Sequence, residues 1–519
     1  MFIINILNIH VQSLSSIFIQ LLLAVVLVAL GIYQYAFRNL NYFYKNGIPF
    51  VPAVPLLGNM ASSLFRKRPF VETISLAYNL KPDAKYLGFL DFMNPVVIVR
   101  DPELIKSVTI KNFDYFPDHK MLSDEVPDKL FKQNLFGLKG QRWRDMRALL
   151  SPTFTSSKMK VLFKLVKECS SNSVRYMKDR VNEASEFEMR DFITRYTNDV
   201  IVTSAFGISV DSLNDPDNDF YLMGKEATNF SGARSLRLFI IRSFPLISKL
   251  FDLKLFSSRI SEFYKNLIKT TIAAREAKGI VRPDMLHLMM QARNKSTNLK
   301  LTDDDMTAHA FIFYFGGFDT VSLLTSFAVD RIAKNPDVQE KLQAEVEQAM
   351  EQCDGDVTYE VLHGMQYLDA IMNETLRLDP PATITDRLCK ERFELPPAEP
   401  GLKPFVVEPG VSLWLPVSAI HRDPKYFEDP DKFFPDRFLP ENKGKINPDT
   451  FMPFGSGPRF CIGNRFALMT AKLMVFELMA NFEMSPCRKT VDPLTVSPSS
   501  FNMSIDCGVW LKIKLKQSS

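Results

Sequence analysis

The sequence predicts a mainly α-helical domain with small β-sheets, preceded by one N-terminal transmembrane helix. The segment Ile17–Phe37 has no charged side chain over about the 20 residues that a bilayer-spanning helix needs. Most of the chain between residues 141 and 374 combines apolar stripes with charged faces at helical spacing. Only short stretches, such as YLGFLDFMNPVVIVRD at 86–101 and VWLKIKLK at 509–516, have the composition of strands.

Composition favours a large apolar core and excludes some classes of function. Of 519 residues, 46% are hydrophobic and 12% aromatic, which is enough for one large folded body. The 63 basic and 59 acidic residues nearly balance, which argues against a nucleic-acid-binding protein. The six cysteines form no C-x-x-C pair, so we expect a reducing compartment and five inert thiols.

The N-terminal segment predicts a retained anchor rather than a cleaved signal peptide. The first 37 residues contain no Lys or Arg and no convincing cleavage site, whereas Arg38, Lys45 and the Arg66-Lys67-Arg68 run follow. This charge order predicts that the remaining chain faces the cytoplasm. The stretch GIPFVPAVPLLGN then predicts a stiff, non-helical connector, because proline fixes φ and lacks an N–H. We therefore expect a membrane anchor over residues 1–40, a proline-rich hinge over 41–65 and a catalytic domain over 66–519.

The apolar segment at residues 236–256 allows two interpretations. Its sequence, LRLFIIRSFPLISKLFDLKLF, is interrupted at Pro245 and carries interspersed Lys and Arg. One interpretation is a pair of core helices, and the other is a surface that enters the lipid.

A glycine-rich loop before a predicted helix carries the most informative pattern. Phe454, Gly457, Arg459, Cys461 and Gly463 match F-x-x-G-x-R-x-C-x-G without a gap. A cysteine thiolate is a known axial ligand of haem iron, where it favours O–O cleavage. Such a sulfur needs a closely approaching backbone that directs N–H groups at it, and a following helix N-terminus favours the thiolate. The loop therefore predicts that Cys461 binds haem iron.

With this loop the sequence resembles the cytochrome P-450 superfamily of haem-thiolate monooxygenases. It is most similar to the membrane-anchored animal branch, which includes insect detoxification enzymes. The resemblance covers nearly the whole chain and implies the P-450 fold and haem b as the cofactor.

The resemblance also implies roles for several other positions. The FGGFDT stretch corresponds to the oxygen-side helix, where Gly316 leaves space and Asp319 and Thr320 pass protons. Other residues contact the haem itself: Trp143, Arg147, Arg387 and Arg459 bind its propionates and Phe454 lies against the porphyrin.

A further motif implies a buried structural network. Glu374 and Arg377 in NETLRL form an E-x-x-R pair on one helical face, and Arg437 in FFPDRF would complete the network. The alternative for an isolated E-x-x-R is a surface ion pair that contributes little. Asp436 stands where the family more often has Glu.

The chain lacks a G-x-G-x-x-G motif and a P-loop, so a nucleotide site of its own is not predicted. The resemblance implies electrons from NADPH-cytochrome P-450 reductase, with cytochrome b5 as a second donor, at the endoplasmic reticulum membrane. Candidate residues for a basic docking face, which have solvated surface charge as the alternative, are Lys139, Arg142, Arg144, Arg465 and Lys472.

We expect a microsomal monooxygenase that uses O2 and NADPH-derived electrons to oxidise apolar small molecules, namely xenobiotics such as plant toxins, insecticides or drugs. An endogenous lipid or hormone is the alternative substrate. A haem-thiolate isomerase and a non-catalytic haem sensor are the alternative functions, and Asp319 and Thr320 argue against the first. The resemblance implies a pocket formed by residues 117–135, 311–320, 382–386 and 497–503.

Overall fold

The computed structural model describes residues 2–120, 128–230, 232–282, 284–295, 301–498 and 503–516. The predicted fold class is confirmed, because helices dominate these residues and the sheets are small.

The α-helices, in chain order, are α1 (Phe2–Phe37), α2 (Tyr42–Lys45), α3 (Ala61–Leu64), α4 (Phe70–Asn79), α5 (Pro102–Lys106), α6 (Lys129–Lys132), α7 (Gly140–Leu150), α8 (Ser156–Arg180), α9 (Met189–Phe206), α10 (Asp219–Thr228), α11 (Ala233–Ser243), α12 (Pro245–Leu250), α13 (Ser258–Lys278), α14 (Met285–Lys295), α15 (Asp303–Lys334), α16 (Pro336–Gln352), α17 (Tyr359–Gly364), α18 (Gln366–Leu378), α19 (Val417–His421), α20 (Pro440–Lys443) and α21 (Asn464–Asn481).

The strands are β1 (Tyr86–Asp91), β2 (Asn94–Val99), β3 (Glu186–Glu188), β4 (Thr385–Leu388), β5 (Phe393–Leu395), β6 (Phe405–Val407), β7 (Ser412–Leu415), β8 (Phe482–Pro486) and β9 (Trp510–Leu515). They form sheets of four strands in the order β1-β2-β7-β4, three in the order β3-β9-β8 and two, β5-β6. Among the strands of the described residues, β2 and β7 are the one pair that runs parallel. The predicted strands at 86–101 and at the C-terminal end are thus confirmed.

Helix α15 lies at the centre of the largest core and positions one wall of the site. It packs against α9, α13, α18 and α21. Its N-terminus has a capping box, in which Thr302 and Asp305 satisfy each other's backbone N–H groups. By length and composition it could span a membrane, but most of its apolar part is buried in the protein. It is therefore a core helix.

Helix α1 contains a second such stretch among the described residues, Ile17–Phe37, and of its side chains the protein buries only that of Ala36. Its last turn contacts the body, because Tyr35 stacks on Phe244 with ring centroids 5.6 Å apart. The following proline-rich connector lies against β1, where Val51 N–H donates to the Gly88 carbonyl at 2.9 Å.

The segment 236–256 combines features of both interpretations. It forms α11 and α12, separated at Phe244 just before Pro245. On the inner side, Ile241 and Phe256 are buried in the main core. On the outer side, Leu246 and Leu250 are 82% and 79% exposed and lie one helical turn apart. One face is core and the other is an exposed apolar surface.

Candidate functional site

The cysteine loop is held against the body by a close backbone approach. Gly457 has φ +71°, and a Cβ there would come within 2.0 Å of the Thr109 carbonyl oxygen, so only glycine fits. Thr109 lies in a short π-helical segment that follows α5. Within the loop, Cys461 N–H donates to the Phe454 carbonyl at 2.9 Å. These contacts fix the loop just before α21 begins.

The Cys461 sulfur is enclosed by protein but opens on an internal cavity, which gives the residue its exposed surface. Burial raises the pKa of the Cys461 thiol, while the Gly463 N–H and the Arg147 guanidinium lower it. The Gly463 N–H and the Arg147 guanidinium therefore favour the thiolate, the form that the loop sequence predicts. A bound metal cation would favour it far more strongly.

The cavity has a volume of about 380 Å³, and apolar side chains form most of its wall. Its lining includes Cys461, Phe454 and Arg459 from the cysteine loop, Trp143 and Arg147 from α7, and Gly316 and Thr320 from α15. The structure therefore brings together most of the site residues that the sequence singles out.

The two glycines of α15 have different surroundings. At Gly316 a Cβ would meet no atom within 4 Å, so this residue borders open space. At Gly317 a Cβ would come within 2.4 Å of Ile201 Cδ1. Gly316 thus leaves room in the cavity as expected, whereas Gly317 allows α9 and α15 to approach closely.

Asp319 and Thr320 face different spaces. The Thr320 hydroxyl lies in the cavity wall and donates to the Gly316 carbonyl at 2.5 Å. The Asp319 carboxylate instead pairs with Arg190 of α9 and borders a second, polar cavity of about 740 Å³. Arg190 also contacts Ser322. Arg190 could not be predicted as a partner of Asp319 from spacing, because it lies 129 residues away in the chain.

Arg459 is the basic group most directly placed in the cavity wall. Its guanidinium donates to Asp118 at 2.7 Å and to the Pro117 carbonyl at 2.8 Å, and lies 3.9 Å from the Trp143 ring centroid. Its Nη1 is buried without a hydrogen-bond partner among the described residues. One donor is thus left for a group that enters the cavity.

Arg387 lies behind the wall rather than in it. The cavity is bordered by the adjacent Thr385 and Asp386, while Arg387 donates to the Ser456 carbonyl at 2.7 Å. Its Nε is also buried without a partner among the described residues. Burial lowers the pKa of Arg387 to about 10, so the side chain is still a cation at neutral pH.

His119 and Asp386 are wall residues that lie within two of the predicted pocket stretches but were not singled out individually. His119 Nδ1 lies 2.9 Å from an Asp386 carboxylate oxygen, and both side chains are buried. The His119 ring stacks on Phe136, with centroids 4.8 Å apart. The sequence does not reveal this pairing, because the two residues are 267 positions apart.

Glu374, Arg377 and Arg437 form one buried network. Arg377 donates to both Glu374 oxygens at 2.8 Å, and neither side chain is exposed. Arg437 Nε lies 3.1 Å from Glu374. Arg377 also donates to the carbonyls of three residues in the segment that follows β7: His421, Pro430 and Lys432. The pair is therefore not a surface ion pair, whereas Asp436 forms one with Lys341.

The predicted pocket stretches contribute unequally. The 311–320 stretch supplies Phe313 to the wall, while Phe311 and Phe315 pack away from it against Phe256. The stretches 117–135 and 382–386 both contribute, although 121–127 lie outside the described residues. Residues 499–502 of the fourth stretch also lie outside them.

The predicted basic docking face needs one correction. Lys472 is buried, with 4% of its surface exposed, and pairs with Asp369 at 2.7 Å, so it belongs to α21 packing. Its charge made it a candidate for the docking face, but charge does not reveal which side of α21 faces the core. Arg142 and Arg144 pair with Asp305 and Asp114, and Arg465 is exposed.

The cavity fits a haem group on its chemistry. It offers a thiol sulfur, an apolar wall and, in that wall, the buried Arg459 guanidinium with a partnerless donor atom that suits a carboxylate, while the Arg387 guanidinium lies just behind the wall. A helical fold with one cysteine in such a cavity defines the haem-thiolate class of proteins.

Comparison with known proteins agrees with this class. The family model described as Cytochrome P-450 matches residues 49–506. Cytochrome P-450 9e2 of Blattella germanica is 44% identical over 95% of this chain and 97% of its own length. Probable cytochrome P-450 9f2 of Drosophila melanogaster is 37% identical over 93% of this chain and 96% of its own length. The chain belongs to the cytochrome P-450 family and is a monooxygenase that uses haem iron, a redox partner and small-molecule substrates.

Proposed function

We propose that this protein is a membrane-anchored monooxygenase of the endoplasmic reticulum that oxidises apolar xenobiotics with haem b. Electrons come from NADPH-cytochrome P-450 reductase, and cytochrome b5 is a second donor. The observation that carries the proposal is that Cys461 and Thr320 share one largely apolar cavity. The family relationship to insect proteins supports the substrate class.

Each protein group has a defined task in binding the haem. Cys461 would hold the iron, and the partnerless donor of Arg459 would bind a propionate, with Arg387 behind the wall as a second cation for these carboxylates. Trp143 supports Arg459 by a cation–π contact, and Arg147 lies near the sulfur. When bound, the haem iron activates O2, so that one oxygen atom enters the substrate and the other leaves as water.

The α15 residues are proposed to deliver protons to that reaction. Thr320 presents its hydroxyl to the cavity, and the next residue, Asp319, borders the polar cavity on the other side. A proton passes from solvent in the polar cavity to Asp319 and then across the helix to a water held by Thr320. Arg190 orients the Asp319 carboxylate through their ion pair.

The substitution Thr320→Ala tests this route. We expect the variant to bind substrate and accept electrons, because neither step needs the hydroxyl. The ratio of product to NADPH consumed is expected to fall by about 10²-fold or more, with hydrogen peroxide formed instead, since positioned proton transfer typically contributes 10²–10⁴-fold.

The matched control is Thr325→Ala. Thr325 lies on the same helix and donates to the carbonyl four residues earlier, as Thr320 does, but it does not border the cavity. Equal coupling in Thr320→Ala, Thr325→Ala and the unmodified protein, on more than one substrate, would show that protons arrive by another route.

The proposed membrane contact has two parts. Helix α1 supplies the span, and the outer face of α11–α12 supplies a second apolar surface beside the end of that helix. Tyr35 joins the two through its contacts with Phe244 and Ser243. Lys249 and Lys254 on this segment favour an anionic lipid surface.

Deletion of residues 1–37 tests this arrangement. We expect the truncated protein to retain haem, because the cavity wall begins at His119, well beyond the deletion, and to leave the membrane fraction only in part. Adding Leu246→Gln and Leu250→Gln to the truncated protein is expected to release the rest. Flotation with vesicles of phosphatidylcholine and phosphatidylserine measures the membrane-bound fraction of the truncated protein and of its double glutamine variant. A truncated protein that stays wholly soluble at low salt would contradict a lipid role for α11–α12.

A further inference from the structure

A buried histidine outside the cavity wall connects the Glu374 network with the cysteine loop. His421 is the last residue of α19 and has no exposed surface. Its backbone carbonyl accepts a hydrogen bond from Arg377 Nη1 at 2.9 Å. Its ring atom Nε2 accepts a second one from the Met452 N–H at 3.0 Å. One residue thus contacts both parts of the site.

The hydrogen bonds define the protonation state of the ring. Nε2 accepts an N–H and therefore carries no proton, which assigns the neutral tautomer with its proton on Nδ1. Burial, and then the charge of Arg377, lowers the pKa of His421 to about 3. Its Nδ1 is buried without a hydrogen-bond partner among the described residues, and the nearby backbone carbonyls of Leu376 and Arg377 only partly oppose the fall in the pKa. The ring is therefore a fixed, uncharged connector at neutral pH.

Backbone hydrogen bonds within the loop connect Met452 with Cys461. The Met452 carbonyl accepts the Gly455 N–H at 3.0 Å, which closes a turn around Phe454. The Phe454 carbonyl in turn accepts the Cys461 N–H at 2.9 Å. The His421 ring also lies against Phe451, with centroids 5.2 Å apart. The start of the loop and the position of Cys461 are thus linked by consecutive backbone hydrogen bonds.

We propose that His421 is a positioning residue that sets the place of the cysteine loop relative to the Glu374–Arg377–Arg437 network. Through Met452 it holds the Cys461 sulfur where the haem iron binds, so the inference rests on the proposed role of Cys461. The network alone does not fix the loop, because the hydrogen bonds of Arg377 reach carbonyls that precede the loop. The ring of His421 supplies the missing connection.

The test compares His421→Leu with His421→Gln. Leucine removes the acceptor and leaves the buried Met452 N–H without a partner. We expect the reduced, carbon-monoxide-bound protein to lose its thiolate-type Soret band about tenfold faster, which is the size of effect for one orphaned buried donor. Glutamine returns an acceptor oxygen close to the Nε2 position and is expected to restore most of the lifetime of this band. The transfer of haem to apomyoglobin gives a second rate that does not depend on activity.

The matched control is His309→Leu. His309 is also completely buried, burial lowers its pKa to about 4, and neither ring nitrogen has a hydrogen-bond partner among the described residues. Its replacement removes a buried neutral imidazole of the same kind without touching the cysteine loop. We expect His309→Leu to keep the thiolate band as long as the unmodified protein does.

The outcomes separate the inference from the proposed function. An unmodified protein without a thiolate band would contradict the role of Cys461. A normal band that is equally stable in His421→Leu would overturn the inference alone. Equal impairment in His421→Gln and His421→Leu would also overturn it, because it would mean that ring shape, rather than the hydrogen bond, matters. If His421→Leu does not accumulate as folded protein, the lifetime of the thiolate band in His421→Gln decides. A lifetime close to that of the unmodified protein supports the inference, and a band lost about tenfold faster overturns it.

Discussion

Cys461→Ser is expected to abolish the thiolate-type Soret band of the reduced, carbon-monoxide-bound protein and, with it, all NADPH-dependent product formation. A serine hydroxyl has nearly the same size but remains protonated at neutral pH. A thiol loses its proton readily when it binds a metal cation, which offsets the rise that burial causes in the pKa of Cys461. The loop itself is held by backbone contacts at Gly457 and Phe454, so it should keep its shape. The spectrum therefore reports the ligand and not the fold.

Cys353→Ser is the matched control for this change. Cys353 is a partly buried free thiol near the end of α16 that donates to the Ala349 carbonyl, as serine can. We expect its spectrum to match that of the unmodified protein. An unchanged thiolate band in Cys461→Ser would mean that another residue binds the iron.

Glu374→Ala and Arg377→Ala are each expected to prevent stable haem incorporation. Both side chains are fully buried, so removing one leaves the other charge uncompensated, which costs about 3–5 kcal/mol. Loss of Arg377 also removes the donor to the His421 carbonyl and loosens the segment before the cysteine loop. The measurements are the haem-to-protein ratio after purification and the thermal melting temperature.

The comparison for this prediction is Arg68→Ala. Arg68 forms an i,i+4 pair with Glu72, and both side chains are about half exposed. Surface pairs of this kind contribute about 0–1 kcal/mol, so neither haem content nor melting temperature should change measurably. If Glu374→Ala behaves like Arg68→Ala, the buried network does not support the haem site.

The parts of the site that the sequence predicts are those built from local spacing. The cysteine loop, the pair on α18 and the pair on α7 depend on neighbours within a few residues, and the structure brings each set together at the cavity or network. Helical period predicts that the members of each pair are neighbours, whereas their roles at the haem site come from the family resemblance. The composition of residues 236–256 likewise predicts an apolar segment. It does not show which side chains are buried in the core and which are exposed.

The parts that sequence reasoning missed depend on contacts between distant segments. Arg190 reaches Asp319 and Asp118 reaches Arg459 only because α9 and the segment after the π-helical turn pack beside the site. His421 gives no periodic signal at all, since its role comes from one ring nitrogen at the loop. Lys472 was misjudged because a lysine on an apolar helix is usually exposed, yet here Asp369 compensates its burial.

The most direct test of the account is the fate of isotopically labelled oxygen. The purified protein, reconstituted with NADPH-cytochrome P-450 reductase, is supplied with ¹⁸O₂, NADPH and naphthalene as a planar apolar probe, alongside a mixed apolar library. The account predicts naphthol, or a hydroxylated library compound, that carries one ¹⁸O atom, with one NADPH oxidised for each product and the second oxygen atom in water. A product that forms without label and without NADPH consumption would instead identify a haem-thiolate isomerase and contradict the account.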